Sequence, residues 1–134
     1  MRKGIFKKTV WGFHLDFYQH VNNARYLEFF EEARWEFMRP LMESNILQEN
    51  GWYTIVVHIE VSYKAQLGLG DAIEIQTSIP TVGRKSLTFH QQIFKSDKKL
   101  AAEAFVKFVI FDSKSQKSLF INEEIMNMFG LNEL

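Results

Sequence analysis

The sequence feature that most constrains the fold is a change in hydrophobic period near residue 50. Between Tyr26 and Leu41 the apolar residues recur at steps of three and four, whereas from Tyr53 onward they alternate with polar residues. The first spacing gives a helix one apolar side, and the second gives a strand one apolar face. We therefore predict one long amphipathic helix followed by a series of strands.

Turn-forming residues divide the second half of the chain into antiparallel strands. We predict helices over residues 23–38 and, capped by Asn122, over 123–128, with strands over residues 5–11, 53–67, 73–79, 86–95 and 100–111. The last strand is apolar on both faces, so we expect it to lie inside the sheet. The sheet needs cover on one apolar face, and only one long helix is available. The prediction is an α+β hotdog fold: a curved antiparallel sheet around one central helix, in a single domain over residues 1–134.

Composition excludes several classes of protein. There are no cysteines, so disulfides, cysteine-bound metals and a thiol nucleophile are excluded. Lys plus Arg and Asp plus Glu each number 16, which gives no overall field for attracting nucleic acid or anionic membrane. The four histidines lack metal-ligand spacing, so we expect no metal and no cofactor. No apolar stretch approaches the ~20 residues of a membrane span, and we expect a cytoplasmic protein.

The segment before the long helix carries the candidate chemistry. Asp16 and His20 lie in a polar, aromatic loop, and Asn22 or Asn23 is a suitable helix N-cap. The free amides of a first helical turn can receive the oxygen of a carbonyl as it becomes an oxyanion. A carboxylate a few residues upstream can attack the carbonyl carbon or deprotonate a water that attacks it. Spacing alone leaves another role open, because Asp16 could simply cap a turn.

The stretch Asp-x-x-x-His-Val-Asn-Asn-Ala-Arg-Tyr-Leu, from Asp16 to Leu27, is followed by Phe-Phe-Glu-Glu-Ala-Arg. It strongly resembles the 4-hydroxybenzoyl-CoA thioesterase branch of the hotdog superfamily. The resemblance implies an enzyme that hydrolyses an acyl-CoA to a carboxylic acid and free coenzyme A. It implies that Asp16 is the catalytic nucleophile or general base, and that the backbone amide of Asn23 polarises the thioester carbonyl.

The same loop also resembles plant acyl-carrier-protein thioesterases, which use an asparagine two residues after the matching aspartate. This chain has Tyr18 at that position, which favours Asp16 and puts Tyr18 at the mouth of the substrate pocket. His20 could be a general base, or it could be structural and hold the loop through backbone hydrogen bonds. His14 is expected to be exposed.

Outside the loop, Arg84, Lys85 and Ser86 follow a Pro-x-x-Gly turn. Their cations could hold the phosphates of coenzyme A, or the turn could simply be solvated. His58 and Glu60 alternate along a polar strand face and could approach the site of a neighbouring subunit or form a solvated surface. An exposed edge strand and the aromatic surplus predict self-association as a dimer or tetramer.

Two other functions remain open from the sequence. A hydratase or dehydratase of the same fold would pair a histidine, such as His20, with a carboxylate. A non-catalytic module would bind an acyl-CoA without cleaving it. Residue patterns do not fix the acyl chain length, nor do they choose between coenzyme A and acyl carrier protein.

Overall fold

A computed structural model describes residues 2–132, so residues 1, 133 and 134 of the predicted domain lie outside the described part. The chain forms six strands and four α-helices within those residues. They are β1 (Gly4–Thr9), α1 (Asn23–Phe37), α2 (Arg39–Glu43), α3 (Ile46–Asn50), β2 (Trp52–Tyr63), β3 (Ala72–Val82), β4 (Leu87–Lys95), β5 (Leu100–Asp112), β6 (Lys117–Ser118) and α4 (Glu123–Met128).

The strands form one antiparallel sheet in the order β1-β3-β4-β5-β2, and the short β6 pairs with β5. As predicted from its two apolar faces, β5 lies inside the sheet, between β4 and β2. The edges are β1 and β2. Among the described residues, the twelve of β2 pair only with β5, so one side of this long strand offers free backbone N–H and C=O groups.

Helix α1 covers one face of the sheet, which confirms the predicted architecture. Its core residues Phe29, Phe30 and Phe37 are nearly inaccessible to solvent. The Phe37 ring meets the edge of Phe89 on β4 at a centroid distance of 5.7 Å, and Phe89 stacks on Phe108 of β5 at 4.8 Å. The helix backbone lies closest to β1 and β3. The side of α1 that faces β2 is therefore less covered.

The prediction for the strand at residues 53–67 was wrong in two respects. The strand ends at Tyr63, and the pairing register with β5 shifts between Val56 and His58. A β-bulge of this kind adds one residue on one strand and reverses which face the following residues occupy. Tyr53 and Ile55, predicted to share a face with Tyr63, are exposed on the face opposite α1.

The helical boundaries also differ in detail from the prediction. Helix α1 ends at Phe37, and Pro40 lies in the first turn of α2, where proline lacks only an N–H that would be unpaired anyway. The sequence pattern did not reveal α2 or α3, because five-residue helices are too short for a periodic signal. Asn122 caps α4 as predicted, through a hydrogen bond from the Ile125 N–H to its side-chain oxygen.

Candidate active site

The loop before α1 is closed on itself by backbone hydrogen bonds. Leu15 and Val21 form an isolated antiparallel bridge, and the Asp16 N–H donates to the His20 carbonyl at 3.1 Å. Gln19 has a φ of 63°, in the left-handed region that lets the chain reverse inside so short a loop. The Val21 N–H donates to the Leu67 carbonyl at 2.9 Å, which ties the loop to the chain beyond β2.

The Asp16 carboxylate is held at the N-terminus of α1. Its Oδ1 accepts from the Tyr18 N–H at 2.9 Å, and its Oδ2 accepts from the side-chain amide of Asn22 at 3.2 Å. Asn22 is also the N-cap of α1, because its Oδ1 accepts from the Ala24 N–H at 2.9 Å. One asparagine therefore caps the helix and orients the carboxylate, so the two are fixed relative to each other.

A cavity of about 400 Å³ opens beside this carboxylate. It brings together four of the predicted site residues, and its lining is Asp16, Tyr18, His20, Val21, Asn23, Tyr26, Tyr63, Lys64, Ala65 and Gln66. Asp16 and His20 are joined by the backbone hydrogen bond described above, and the two roles predicted for the His20 side chain stay predictions.

Asn23 is the first residue of α1, and its N–H has no acceptor among residues 2–132. The Tyr63 hydroxyl donates to the Asn23 carbonyl at 3.3 Å, which holds this turn against the end of β2. The free amides of a helix start carry roughly half a positive charge together. Asp16 and Asn23 both line the cavity, so a carboxylate and the first residue of a helix lie at one opening, an arrangement that acyl transfer can use.

The structure does not bring Arg84, Lys85 and Ser86 to this cavity within one chain. They form the turn between β3 and β4, where the Gly83 N–H donates to the Ser86 carbonyl at 2.8 Å. Asp16 lies near the other end of β3, an eleven-residue strand whose length is about 36 Å. Both cations instead face the Phe120 ring, Arg84 at 5.6 Å and Lys85 at 4.6 Å from its centroid.

Sequence reasoning missed Tyr63, Lys64 and Gln66 as lining residues, because Tyr63 was interpreted only as part of an alternating strand. It was also wrong about His14, which is 3 % exposed. The His14 Nδ1 accepts from the Trp11 N–H at 2.9 Å, and its ring meets the edge of Phe29 at 5.0 Å. Burial lowers the pKa of His14, with further lowering from nearby Lys8 and Arg25.

A larger cavity of about 650 Å³ lies on the other side of the loop, lined partly by Trp11, Phe13 and His14. It contains several lysines but neither Asp16 nor the start of α1, so it lacks the groups for the chemistry above. Within residues 2–132 no three His, Asp or Glu side chains are grouped to hold a metal ion. In the same part of the chain, no helix is both long enough and apolar enough to cross a membrane.

The chain is similar to known proteins over most of its length. The profile of the Thioesterase-like superfamily matches residues 9–129. The chain belongs to this superfamily. The match spans the Asp16 loop, α1 and the whole sheet from β2 to β6.

Individual members of the superfamily resemble the chain over most of its length. Long-chain acyl-CoA thioesterase FadM of Escherichia coli is 37 % identical over 117 residues, covering 87 % of this chain and 89 % of that protein. Acyl-CoA thioesterase YbgC of Haemophilus influenzae is 28 % identical over 111 residues, covering 81 % of each. The crystal structure of YbaW, a probable thioesterase from Escherichia coli, superposes with a TM-score of 0.89 at 33 % identity, covering 96 % of this chain and 97 % of that one. The predicted hotdog fold and thioester hydrolase class are confirmed.

Proposed function

We propose that this superfamily member hydrolyses acyl-CoA thioesters, with Asp16 as the catalytic carboxylate. The observation that carries the proposal is the Asn22 side chain, which joins the Asp16 carboxylate to the N-terminus of α1. A thioester carbonyl bound against the Asn23 N–H would lie beside that carboxylate, and the amide would stabilise the oxyanion that forms.

The reaction adds water across the acyl–sulfur bond. In one route Asp16 takes a proton from water as the water oxygen bonds to the carbonyl carbon. The C–S bond then breaks, and the leaving coenzyme A sulfur takes up the proton that Asp16 held, which restores the carboxylate. In the other route a carboxylate oxygen of Asp16 displaces the sulfur, and water cleaves the resulting anhydride. Both routes yield a carboxylic acid and free coenzyme A, and in both an oxygen of Asp16, oriented by the hydrogen bonds from Tyr18 and Asn22, acts on water or on the carbonyl carbon.

The substrate is proposed from the relatives and from the cavity. Two relatives are named as acyl-CoA thioesterases, one of them for long chains. The rings of Tyr26 of α1 and Tyr63 of β2 meet edge to face at 5.1 Å and leave no passage between them, so the acyl group would leave the Asp16 cavity along the outer side of these two rings. Tyr18, exposed at the cavity mouth, would contact the substrate near its thioester.

Coenzyme A would be bound with help from a second copy of the chain. The Arg84–Lys85 turn lies at the Trp52 end of β2, because Trp52 pairs with Asp112 of β5, and Phe108 of β5 pairs with Leu87 of β4. If two β2 edges pair antiparallel about a two-fold axis, the Trp52 end of one meets the Tyr63 end of the other. The Arg84–Lys85 turn of the second copy then lies on the same side as the first copy's Asp16.

This assembly makes self-association part of the proposal. Exposed apolar side chains occur along β2, including Tyr53, Val57 and Ile59, as expected for an edge that another strand covers. Light scattering at micromolar concentration should give at least twice the chain mass of 15.8 kDa. A monomer under those conditions would contradict the assembly and, with it, the shared binding of coenzyme A.

The proposed activity is tested by incubating the purified protein with saturated acyl-CoAs of increasing length and with one aryl-CoA, while free thiol is measured. We expect steady thiol release that exhausts the substrate. Binding without thiol release would indicate an acyl-CoA-binding module. Conversion of an enoyl-CoA to a hydroxyacyl-CoA with the thioester intact would indicate a hydratase.

A further inference from the structure

A second polar group, Arg34, lies inside the fold on the opposite half of α1. Arg34 is 8 % exposed, and its guanidinium Nη1 donates to the Gln91 Oε1 at 3.1 Å. No carboxylate of residues 2–132 lies within the 4.0 Å of a salt bridge to it. Burial lowers the pKa of the Arg34 guanidinium, but an arginine stays charged at any physiological pH. The guanidinium therefore has one hydrogen-bond partner, the neutral Gln91, while the Glu31 carboxylate acts on its charge from beyond salt-bridge distance.

Gln91 cannot adjust to serve another group, because its amide is fully engaged. Its Nε2 donates to the Phe30 carbonyl at 2.9 Å and to the Thr77 Oγ1 at 3.1 Å. The orientation of the amide is thereby set, and Oε1 must face Arg34. A guanidinium has five N–H donors, so most of the donors of Arg34 remain for something other than Gln91.

The remaining donors face a cavity. In the described part of the chain, no fully buried side-chain nitrogen or oxygen lacks a hydrogen-bond partner, so the unbonded guanidinium nitrogens must touch open space. Arg34 lines a cavity of about 200 Å³ between α1 and the sheet. Apart from Glu31 and Thr54, the other walls are carbon-rich side chains: Trp35, Met38, Val56, Phe89 and Phe108.

The Arg34 cavity and the Asp16 cavity are lined by the same two elements. Asn23 and Arg34 are separated by ~16 Å along α1, at about 1.5 Å per residue. Between them, Leu27 of α1 and Ile59 of β2 are 39 % and 40 % exposed. Exposed apolar surface thus lies between the two cavities, and a long acyl chain laid along α1 and β2 would reach from the proposed thioester site to the buried cation.

We propose that Arg34 makes the enzyme selective for acyl groups that carry a hydroxyl far from the thioester. This inference rests on the proposed function. A hydroxyl oxygen can accept from the guanidinium, whereas a plain hydrocarbon end would cover the guanidinium without giving it an acceptor. A hydroxyl can also donate, and the Glu31 carboxylate lies at the same cavity, where its Oε2 accepts from the Trp35 Nε1 at 3.2 Å. A carboxylate at the end of the chain would be attracted by Arg34 but repelled by Glu31, whereas a neutral hydroxyl can accept from the one and donate to the other, so a neutral oxygen suits the cavity better.

The test compares kcat/KM for pairs of long-chain acyl-CoAs that differ only in a hydroxyl at the far end, over several chain lengths. At the best length the wild-type protein should prefer the hydroxylated member by about tenfold, the effect of one hydrogen bond to a charged group. Arg34→Met keeps an unbranched side chain but removes the donors, so the ratio should fall to about one. Lys107→Met removes an exposed cation from the far face of β5 and should keep the wild-type ratio.

The wild-type ratio decides the matter even if Arg34→Met fails to fold. A ratio near one at every length would overturn the inference while leaving acyl-CoA hydrolysis intact, whereas no hydrolysis of any acyl-CoA would contradict the proposed function instead. A wild-type preference that survives in folded Arg34→Met would also overturn it. Matched acyl-CoAs with a terminal carboxylate provide a third arm, and a preference for them over the hydroxylated members would contradict the neutral-oxygen assignment.

Discussion

The two polar sites on α1 are built in opposite ways. At the start of the helix, Asp16 takes its hydrogen bonds from Tyr18 and Asn22, which lie two and six residues away in the chain. In the second half of the helix, Arg34 is bonded to Gln91, 57 residues away. The hydrogen bonds that hold Asp16 come from one continuous segment, whereas the bond that holds Arg34 exists only after the sheet has formed. Chemistry placed on a loop at a helix start can therefore be recognised in a sequence, but a site assembled from distant elements cannot.

The largest expected effect is the loss of turnover when the Asp16 carboxylate is removed, because only the site at the start of α1 is proposed to carry out the chemistry. Asp16→Asn keeps the shape and the hydrogen bond from the Tyr18 N–H, but it removes the charge and most of the basicity. We expect the turnover number to fall by at least ~100-fold, the lower end for losing a general base, with little change in the unfolding midpoint. Steady-state thiol release and a thermal melt measure the two quantities.

Asp97→Asn is a matched control for that variant. The Asp97 Oδ1 accepts from the Lys99 N–H at 2.9 Å, the same i to i+2 contact that Asp16 makes with Tyr18, but in a hairpin turn away from the cavity. Its turnover should equal that of the wild type. Near-normal turnover in folded Asp16→Asn would remove Asp16 from the chemistry, and His20→Ala would then be the next variant to measure.

The second prediction separates the sites by stability. Gln91→Leu leaves Arg34, the Phe30 carbonyl and Thr77 without their shared partner, so the free energy of unfolding should fall by about 2 kcal/mol. Gln92→Leu, on the outward face of the same strand, removes only a long contact to Glu103 at 3.4 Å and should change stability far less. Urea denaturation of both variants checks this. Equal losses in the free energy of unfolding would mean that the buried hydrogen bonds of Gln91 stabilise the fold no more than the exposed contact of Gln92.

The contrast between the sites also explains what could be predicted from the sequence. The hydrophobic period and the turn-forming residues located α1 and all the main strands, because the residues that form each such pattern lie within or beside one element. They missed the bulge at Val57 in β2. The apolar and polar residues still alternate along the sequence there, but the inserted residue exchanges the two faces of the strand in the folded protein. The contiguous motif predicted Asp16, Tyr18, His20 and Asn23 as site residues, and the four line one cavity. Tyr63 and Gln91 reach α1 only through sheet pairing, so no local pattern marks them.

The third prediction concerns coenzyme A. Replacing both Arg84 and Lys85 with Ala should raise KM by about tenfold with little change in kcat, because only binding charges are removed. The difference from the wild type should shrink at high salt, since exposed charges are screened. Replacing Lys98 and Lys99, at the β4–β5 turn, controls for loss of two cations; an equal effect there would mean that the phosphates are bound elsewhere.

The smallest expected effect is on the pH dependence of stability. Burial lowers the pKa of His14 below its ordinary value of 6.5, so the unfolded chain takes up a proton at a pH where the folded chain does not. The contribution of His14 to stability is therefore complete above pH 6.5 and decreases as pH falls from 6.5 toward the lowered pKa, by at most about 1.4 kcal/mol per pH unit.

His14→Asn retains an oxygen that can accept from the Trp11 N–H but no group that titrates in this range. Urea denaturation of the wild type and the variant at several pH values should show that the wild type loses more stability on acidification. Parallel pH profiles for the two proteins would contradict the neutral, buried state of His14.

The most direct test of the central claim is a crystal structure of the Asp16→Asn variant with an uncleaved long-chain acyl-CoA bound. The account predicts that the thioester carbonyl oxygen accepts a hydrogen bond from the Asn23 N–H, with the side chain of residue 16 facing the carbonyl carbon. The acyl chain should lie along α1 and β2. A thioester bound away from the start of α1, for example in the larger cavity beside Trp11 and Phe13, would contradict the account.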